Sequence, residues 1–403
     1  MTTTLTRSES ISDVLARIDD MYPLLQLEAD DSERLRRPTP AVQSALRDSG
    51  VFGLMVPAEL GGLDATPLQV MAVIEKLSHA DASLGWLVRT VAGETATAAA
   101  YLGDTAVDEL FGDGRCALVA GQSAGYSGYA VAVDGGYQVT GTWKFAPGVS
   151  MATHLNLAVT DADTGAEIVC VVPRSALRII DNWDMLGLRA TASLDYAADD
   201  VFVADDYTFD IGRDTIRRGG VTNRLSPALL AGLGQASWSQ GVGRRMLDEL
   251  RELAQRKSDS PDSPVTTAEF FSEFARHYSH VRGTMALLRE TSSEHEAALM
   301  SGAALSTDQE TMTRLASNLA TRTALEISQL VHRFAGAQVM RNSALQRFFR
   351  DSHAGTQHRG TSHIVTEQCG RVLTGTLPAD THWGFFDLVV PNDSRELTEG
   401  QPS

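Results

Sequence analysis

Positive charge is scarce in this sequence. Lysine and arginine number 34 against 51 aspartates and glutamates, so the 403-residue chain carries a formal net charge of −17. Nucleic acid and anionic lipid headgroups repel a surface with such an excess of negative charge. The composition therefore disfavours nucleic acids and membranes as partners.

Cysteine, long apolar segments and nucleotide-binding loops are also rare or missing. The three cysteines, Cys116, Cys170 and Cys369, lack metal-binding spacing, and their odd number favours free thiols in a reducing cytosol. The longest uncharged run, 116–133, is interrupted by Gly, Ser and Gln, so neither a signal peptide nor a membrane span is expected. No Gly-x-Gly-x-x-Gly loop stands between a strand and a helix, which disfavours a nicotinamide site. We expect a cytoplasmic protein without a metal site.

Hydrophobic periodicity divides the chain into three regions and a tail. Apolar residues recur at helical spacing in 1–115, which predicts an N-terminal helical domain. In 116–212, short β-branched runs alternate with turns such as Asp134-Gly135-Gly136, which predicts a small antiparallel β-barrel or sandwich. Long helical stretches return in 213–380 and predict a C-terminal four-helix bundle, followed by a tail, 381–403, whose part 392–403 is predicted to be a loose extension. The predicted bundle helices are Ala228–Arg256, Thr267–Ser301, Thr307–Phe334 and Ser343–Asp351.

This order of domains resembles the acyl-CoA dehydrogenase superfamily, and several local motifs agree with it in order and spacing. The motifs are Phe52–Pro57 with Leu60-Gly61-Gly62, Asp134–Tyr137 with Gly141–Phe145, Trp183 with Leu186–Ser193, Val201–Val203, and Arg350-Asp351 with Gly360–Ser362. The resemblance implies a mainly helical fold with a central β domain. It also implies a flavin whose ring lies between the β domain and the bundle.

The base needed for dehydrogenase chemistry is missing. Family members that remove a proton next to a thioester carry a glutamate in a Tyr-Glu-Gly-Thr motif, but this stretch reads His358-Arg359-Gly360-Thr361. Arginine stays protonated and cannot accept the proton, and the alternative position, near Asn223, also lacks a carboxylate. The chain instead resembles the oxygenase components of two-component flavin-dependent monooxygenases, in which a histidine follows an Arg-Asp pair by seven residues. His358 follows Asp351 at this spacing.

The resemblance implies roles for several side chains. His358 is the candidate catalytic residue, because a neutral imidazole can hydrogen-bond an oxygenated flavin or deprotonate a phenol, although a structural histidine in the bundle is the alternative. Phe145 or Trp143 is expected against the flavin ring, unless both belong to the core. The other expected contacts are Arg189, Thr191, Ser193, Gly360 and Thr361 with the flavin, and Trp86 and Arg359 with the substrate.

Pro147 departs from the family pattern, which places Ser or Thr there to contact flavin N5. Proline has neither a hydroxyl nor a backbone N–H, so another group must supply this contact. The Arg-x-x-Phe-Gly element that holds adenosine in many relatives is not evident near Lys257–Pro264, so reduced FMN and reduced FAD both remain open.

Three functions are compatible with these observations. The leading hypothesis is an oxygenase component that uses reduced flavin and O2 to hydroxylate or oxygenate an aromatic, polycyclic or heteroatom-containing small molecule. It implies a separate NAD(P)H:flavin reductase and a homodimer or homotetramer built through the bundle. The second hypothesis is an FAD-dependent acyl-CoA dehydrogenase-like oxidoreductase with a relocated base. The third is a non-catalytic scaffold, which Pro147 and Arg359 keep open.

Overall fold

The N-terminal domain consists of six helices in which the fifth is the most buried. The computed structural model describes residues 3–4 and 10–391. The helices are α1 (Ile11–Leu27), α2 (Ala29–Leu35), α3 (Pro40–Asp48), α4 (Pro67–Ala80), α5 (Ala82–Tyr101) and α6 (Asp104–Phe111). Most residues of α5 are buried, as expected for a helix that is apolar on nearly all of its faces.

A single buried residue, Asp81, separates α4 from α5. Its Oδ1 accepts a hydrogen bond from the backbone N–H of Leu84 at 3.0 Å and so caps the first turn of α5. Burial is the main cause that raises the pKa of Asp81 above its ordinary value. This cap fixes where α5 begins, and therefore which side chains of α5 reach the interior.

The central domain is a mixed β-sheet. Its strands are β2 (Arg115–Cys116), β3 (Val119–Gln122), β4 (Gly128–Val133), β5 (Gly136–Ala146), β6 (His154–Asp161), β7 (Glu167–Pro173), β8 (Arg178–Ile180), β9 (Leu194–Ala204) and β10 (Thr208–Phe209); β2 pairs with β1 (Thr3–Thr4). The main sheet has the order β10-β7-β6-β4-β5-β9-β8, and β3 pairs with β6. The predicted turn Asp134-Gly135-Gly136 is confirmed, since β4 and β5 form a hairpin that turns at Gly135 with φ 76°, and β6 and β7 form a second hairpin.

The sheet is not purely antiparallel, which differs from the expectation. Strands β3 and β4 both run parallel to β6. The reason is that β3 and β4 lie end to end along β6, separated by the turn 123–127, and the chain returns to β6 only after β5 and the loop 147–153.

The C-terminal domain contains long helices packed against one another. They are α7 (Pro227–Arg256), α8 (Ala268–Met300), α9 (Thr307–Phe334), α10 (Ala344–Gly355) and α11 (His363–Leu373). The four predicted bundle helices are confirmed to within a few residues. A short hairpin of β11 (His382–Trp383) and β12 (Leu388–Val389) follows α11 and packs back on the bundle.

Three further expectations concern the cysteines, a membrane span and the C-terminal extension. Cys116, Cys170 and Cys369 are free, as predicted, and all three are buried. Within the part of the chain that the structure describes, no helix has the length and apolarity needed to cross a membrane. The predicted loose extension at 392–403 lies outside the described residues.

Gly187 provides a test of how the β domain contacts α10. A Cβ at this position would lie 2.3 Å from the carbonyl oxygen of Arg350, so Gly187→Ala must separate the two segments. We expect a loss of about 1–3 kcal/mol in the free energy of unfolding. Gly283→Ala is the matched control, because a Cβ on Gly283 in α8 meets nothing within 4 Å, and it should gain about 0.5–1 kcal/mol from helix propensity. Urea unfolding measures both changes, and equal stability of the two variants would refute the contact.

Candidate active site

His358 begins a tight turn between α10 and α11. Its Nδ1 accepts a hydrogen bond from the backbone N–H of Gly360 at 3.2 Å, and its carbonyl oxygen accepts one from Thr361 Oγ1 at 3.0 Å. Asn318 of α9 donates to the carbonyl oxygen of Thr361 at 2.9 Å. Because a backbone N–H can only donate, Nδ1 is unprotonated and the neutral imidazole carries its proton on Nε2. In this structure Gly360 and Thr361 serve to position His358.

The surroundings of His358 keep its imidazole neutral. Burial, and after it the positive charge of Arg89, lowers the pKa of His358 to about 3. The ring centroid lies 6.1 Å from that of Trp86 and 6.2 Å from that of Phe386, both in edge-on geometry. At physiological pH this histidine can therefore exchange hydrogen bonds without carrying charge.

Trp86 and His358 come together from two distant parts of the sequence. Trp86 lies on α5 and also contacts Trp238 of α7 edge-on, with 5.1 Å between the ring centroids. The indole N–H of Trp238 donates to the carbonyl oxygen of Ala82 at 2.8 Å. Gly355 of α10 is needed here, because a Cβ at this position would lie 2.1 Å from the Trp238 ring. The aromatic cluster therefore joins α5, α7 and α10 beside the imidazole.

A small cavity of about 20 Å³ opens on the bundle side of His358. Its walls come from the first turns of α7, from α9 and from the His358 turn: Ala228, Ala231, Gly232, Gln235, Arg314, Ser317, His358, Gly360 and Val365, with Phe385 and Phe386. Gln235 Oε1 and Ser317 Oγ are buried and make no hydrogen bond within the described residues. Two unsatisfied polar atoms in a cavity lined by both apolar and polar side chains are typical of a ligand site.

The hairpin after α11 supplies one wall of this cavity. Arg314 holds it by donating to the carbonyl oxygens of Gly384 and Phe385 at 3.2 and 3.3 Å, and its guanidinium lies 4.2 Å from the centroid of the Trp383 ring. Gln368 of α11 accepts from the backbone N–H of Leu388 at 3.0 Å. The segment 382–389, assigned to the tail from sequence, is thus part of the candidate site.

The two aromatic candidates on β5 have different environments. Trp143 is fully buried in the β domain, stacked on Tyr196 with 5.5 Å between centroids, and its indole N–H donates to the Ala158 carbonyl at 2.8 Å. Phe145 is 48% exposed and has φ 63°, a left-handed conformation that is costly for a bulky residue. Its edge-on neighbour is Trp183, at 6.0 Å. Phe145 is the one with a face open to a ligand.

Three other predicted flavin contacts lie on the loop before β9. Thr191 and Ser193 are buried, and their hydroxyls hydrogen-bond each other at 2.7 Å. Thr191 also donates to the carbonyl oxygen of Leu188 at 2.8 Å. Arg189 is partly exposed and donates to the carbonyl oxygen of Met185 at 2.9 Å. These contacts shape the loop, and Arg189 retains accessible surface.

Arg359, a predicted substrate contact, is not among the residues that line the cavity. Its side chain is exposed and pairs with Asp387 of the hairpin at 2.7 Å. The guanidinium also lies 5.5 Å from the centroid of the Phe386 ring. In this structure Arg359 fastens the hairpin to the His358 turn, because that side of the turn faces outward.

Two positions considered for proton transfer or flavin contact have no acid or hydroxyl. Asn223 is buried and donates to the carbonyl oxygen of Met55 at 3.1 Å. Pro147 is buried in the turn after β5, where the next residue, Gly148, donates its N–H to the carbonyl oxygen of Thr191 at 2.8 Å. The backbone at this turn is therefore fixed by its neighbours.

The Arg-Asp motif joins all three domains next to the site. Arg350 pairs with Glu33 of α2 at 2.7 Å and donates to the carbonyl oxygen of Leu186 at 2.8 Å. Asp351 is buried, and its Oδ1 accepts from the backbone N–H of Leu188 at 2.5 Å. The C-terminal half of α10, and with it the His358 turn, is thereby held against the N-terminal and β domains.

Sequence reasoning missed Arg89, Gln235, Ser317, Phe385 and Phe386 as members of this site. Arg89 gave a usable signal, because it is a charged residue three positions after Trp86 in an otherwise apolar helical stretch. The others are ordinary helix or loop residues that only the fold brings to His358.

Comparisons with known proteins agree with this architecture. The N-terminal domain model of acyl-CoA dehydrogenase matches residues 23–109 and the C-terminal domain model matches 233–363, together more than half of the chain. An indole-3-acetate monooxygenase of Pseudomonas putida is 27% identical over 86% of this chain and 90% of its own length. The flavin-dependent monooxygenase oxygenase subunit HsaA of Rhodococcus jostii (strain RHA1) is 25% identical over 85% of this chain and 93% of its own.

Solved structures share the fold. A 3-HSA hydroxylase from Rhodococcus sp. RHA1 superimposes with a TM-score of 0.84 at 22% identity, covering 93% of this chain and 99% of that one. XiaF from Streptomyces sp., solved with FADH2 and glycerol, gives 0.82 at 23% identity over 91% and 96%. TdsC from Paenibacillus sp. A11-2, solved with FMN and indole, gives 0.76 at 20% identity over 93% and 100%.

The helical domain, the central sheet and the bundle, together with both domain matches, place this chain in the acyl-CoA dehydrogenase family. Within that family it is an oxygenase component of the flavin-dependent monooxygenase type, like the relatives that match it over most of their length.

Asp351 tests the junction of the domains. Burial is the main cause that raises the pKa of Asp351 to about 7, and the charge of Asp81 adds to it. Asp351→Ala leaves the N–H of Leu188 unpaired and should lower the free energy of unfolding by about 1–3 kcal/mol. Asp351→Asn keeps an acceptor oxygen and is the matched control.

The same residue predicts a pH dependence. The folded state holds more protons than the unfolded state between about pH 4 and 7, so the stability contributed by Asp351 falls as the pH rises through that window. Asp351→Asn removes this fall. Its free energy of unfolding, relative to that of wild type, should therefore be higher at pH 8 than at pH 5. Urea unfolding at both pH values measures the difference, and a gain at pH 5 instead would contradict the assigned pKa direction.

Proposed function

We propose that this chain hydroxylates or oxygenates an aromatic small molecule with reduced flavin and O2, and that His358 is its catalytic residue. The observation that carries the proposal is a neutral imidazole beside a cavity that no acidic side chain of the described residues lines. A dehydrogenase would need a carboxylate in that position. The monooxygenase class of the full-length relatives, and the aromatic compounds in the names of several of them, support an aromatic substrate.

The residues present fit a flavin. Phe145 offers an exposed ring on the β-domain side, and Trp183 supports it edge-on. Arg189 has accessible guanidinium surface for the polar edge of the cofactor or its phosphate. Reduced flavin, when bound, supplies the electron pair that activates dioxygen. Reduced FMN and reduced FAD both remain candidates, since relatives are solved with each.

The tautomer of His358 favours one of two roles. With Nδ1 accepting from Gly360, Nε2 carries the proton and donates a hydrogen bond to an oxygen atom in the cavity. Deprotonation of a phenol would need the opposite tautomer. We therefore propose that His358 orients the oxygen that is transferred, while Trp86, Phe385 and Phe386 exclude water and hold the aromatic ring.

The proposal extends to the partners of the chain. A separate NAD(P)H:flavin reductase supplies the reduced flavin, and the protein acts in the cytoplasm, where buried free thiols stay reduced. We propose a homodimer or homotetramer assembled through the bundle. Light scattering after size-exclusion chromatography distinguishes these states.

Replacing His358 tests its catalytic role. We expect His358→Ala to lower product formation by about 100- to 10,000-fold. Oxygen should still be consumed, and the consumed oxygen should be released as H2O2. His363→Ala is the matched control, because His363 is exposed on the first turn of α11. Product by chromatography and H2O2 by peroxidase assay give the coupling ratio. Anaerobic bleaching of flavin by an acyl-CoA thioester would overturn the proposed function itself.

The pKa of His358 gives a pH prediction. With a pKa of about 3 in the folded protein, the imidazole stays neutral above about pH 5. The coupling ratio, measured with chemically reduced flavin to bypass the reductase, should therefore show no acid loss between pH 8 and pH 5.5. A loss with a midpoint between pH 6 and 7 that His358→Asn abolishes would contradict the assigned environment.

A further inference from the structure

We propose that Arg89 binds an anionic oxygen of the aromatic substrate, so that this enzyme prefers aromatic acids or ionised phenols over neutral compounds of the same shape. The inference rests on the proposed monooxygenase function and adds a substrate class to it. It depends on the position of Arg89 next to Trp86 and on the lack of an acidic partner for its guanidinium.

Arg89 lies on the side of α5 that faces the bundle. Its guanidinium carbon is 3.9 Å from the centroid of the Trp86 ring, which covers one face of the guanidinium. Its aliphatic stem runs along α7 at Gly234, where a Cβ would come within 3.5 Å of it. Stacking leaves the N–H edge of a guanidinium free to form hydrogen bonds.

Arg89 has no polar partner among the described residues. No carboxylate lies within ion-pair distance, and its Nε is buried without a hydrogen bond. The arginines that are buried in the described part of the fold are, in contrast, each paired with an acid: Arg245 with Glu249, Arg314 with Glu310, and Arg347 with Asp30. Arg89, which is partly buried, has no such acid beside it.

Without a counter-charge, the positive charge of Arg89 is energetically unfavourable in the ligand-free protein. Burial lowers its pKa to about 9, so the side chain stays protonated at neutral pH but is poorly solvated. A carboxylate or phenolate placed at its N–H edge would supply both the charge and two hydrogen bonds. Binding energy for an anionic substrate is therefore available at this position.

The location of Arg89 connects this binding to the catalytic residue. Trp86 contacts both the guanidinium and the imidazole of His358, so an anion at Arg89 lies on the α5 side of that imidazole. The positive charge of Arg89 also helps to lower the pKa of His358. A bound anion would offset that charge, and an aromatic ring attached to it would lie against Trp86.

The test compares ligands that share a ring and differ in one acidic group. Indole-3-acetate is compared with indole, and 4-nitrophenol at a pH where it is ionised is compared with nitrobenzene. Dissociation constants are measured by calorimetry on the flavin-free protein. We expect wild type to bind at least one anion about 10- to 100-fold more tightly than its neutral analogue. The two pairs distinguish a carboxylate from a phenolate as the source of the anionic oxygen.

Variants of Arg89 identify the group responsible. Arg89→Met should abolish the preference while leaving the affinity for indole and nitrobenzene within about 2-fold, and Arg89→Lys should keep part of it because it retains the charge without the bidentate edge. Arg322→Met, an exposed arginine of α9, is the matched control and should leave the preference unchanged. Arg89→Met should also raise the thermal midpoint of the flavin-free protein, because it removes an unpaired buried charge.

Several outcomes would overturn the inference. These are equal affinity of wild type for acid and neutral analogue, an equal loss of both ligands in Arg89→Met, or a loss of affinity for reduced flavin in place of the substrate, which would make Arg89 a cofactor contact. Product formation with reduced flavin and O2 is scored separately. Selective anion binding without product would refute the proposed function alone, and product without anion preference would refute only the role of Arg89.

Discussion

The hydrogen bond from the backbone of Leu188 to Asp351 is the contact on which the geometry of this protein depends. It holds α10 against the loop of the β domain, and the adjacent Arg350 extends the same junction to Glu33 in the N-terminal domain. Asp81, the cap of α5, is close enough for its charge to raise the pKa of Asp351. Two buried acids therefore hold the last turns of α10 and the start of α5, and His358 and Trp86 lie a short distance further along the chain.

The charged groups around His358 differ from those in an enzyme that removes protons with a carboxylate. No acid lines the cavity among the described residues, and the charge that acts on the imidazole is the positive charge of Arg89. Such a site stabilises negative charge on oxygen, whether on dioxygen-derived atoms or on a substrate. The acid of α5, Glu94, is occupied by Asn156 and Ser123 on the β-domain side, and burial raises its pKa to about 7.

Much of the fold could be predicted because its signals are local. Long amphipathic repeats marked α7, α8 and α9, and the Asp134-Gly135 turn marked the β4–β5 hairpin. Alternation along β5 could not decide between Trp143 and Phe145, since a register shift between Trp143 and Ala146 breaks the alternation and turns Phe145 outward. The sequence also could not assign a role to Arg89, because that role depends on the lack of an acidic side chain near it in the folded structure. The hairpin after α11 was missed because strands of two residues leave no periodic pattern.

That hairpin has a consequence for how the protein can vary. Phe385 and Phe386 close the cavity from a segment translated after nearly all of the core, and a few anchors such as Arg314 and Gln368 secure it. A polypeptide that stopped at residue 380 would lose both phenylalanines and also the buried Trp383, so it would open the pocket to water and remove part of a core cluster. Exchanging only the side chains of Phe385 and Phe386 can therefore reshape the pocket, because Arg314 and Gln368 hold the hairpin through its backbone.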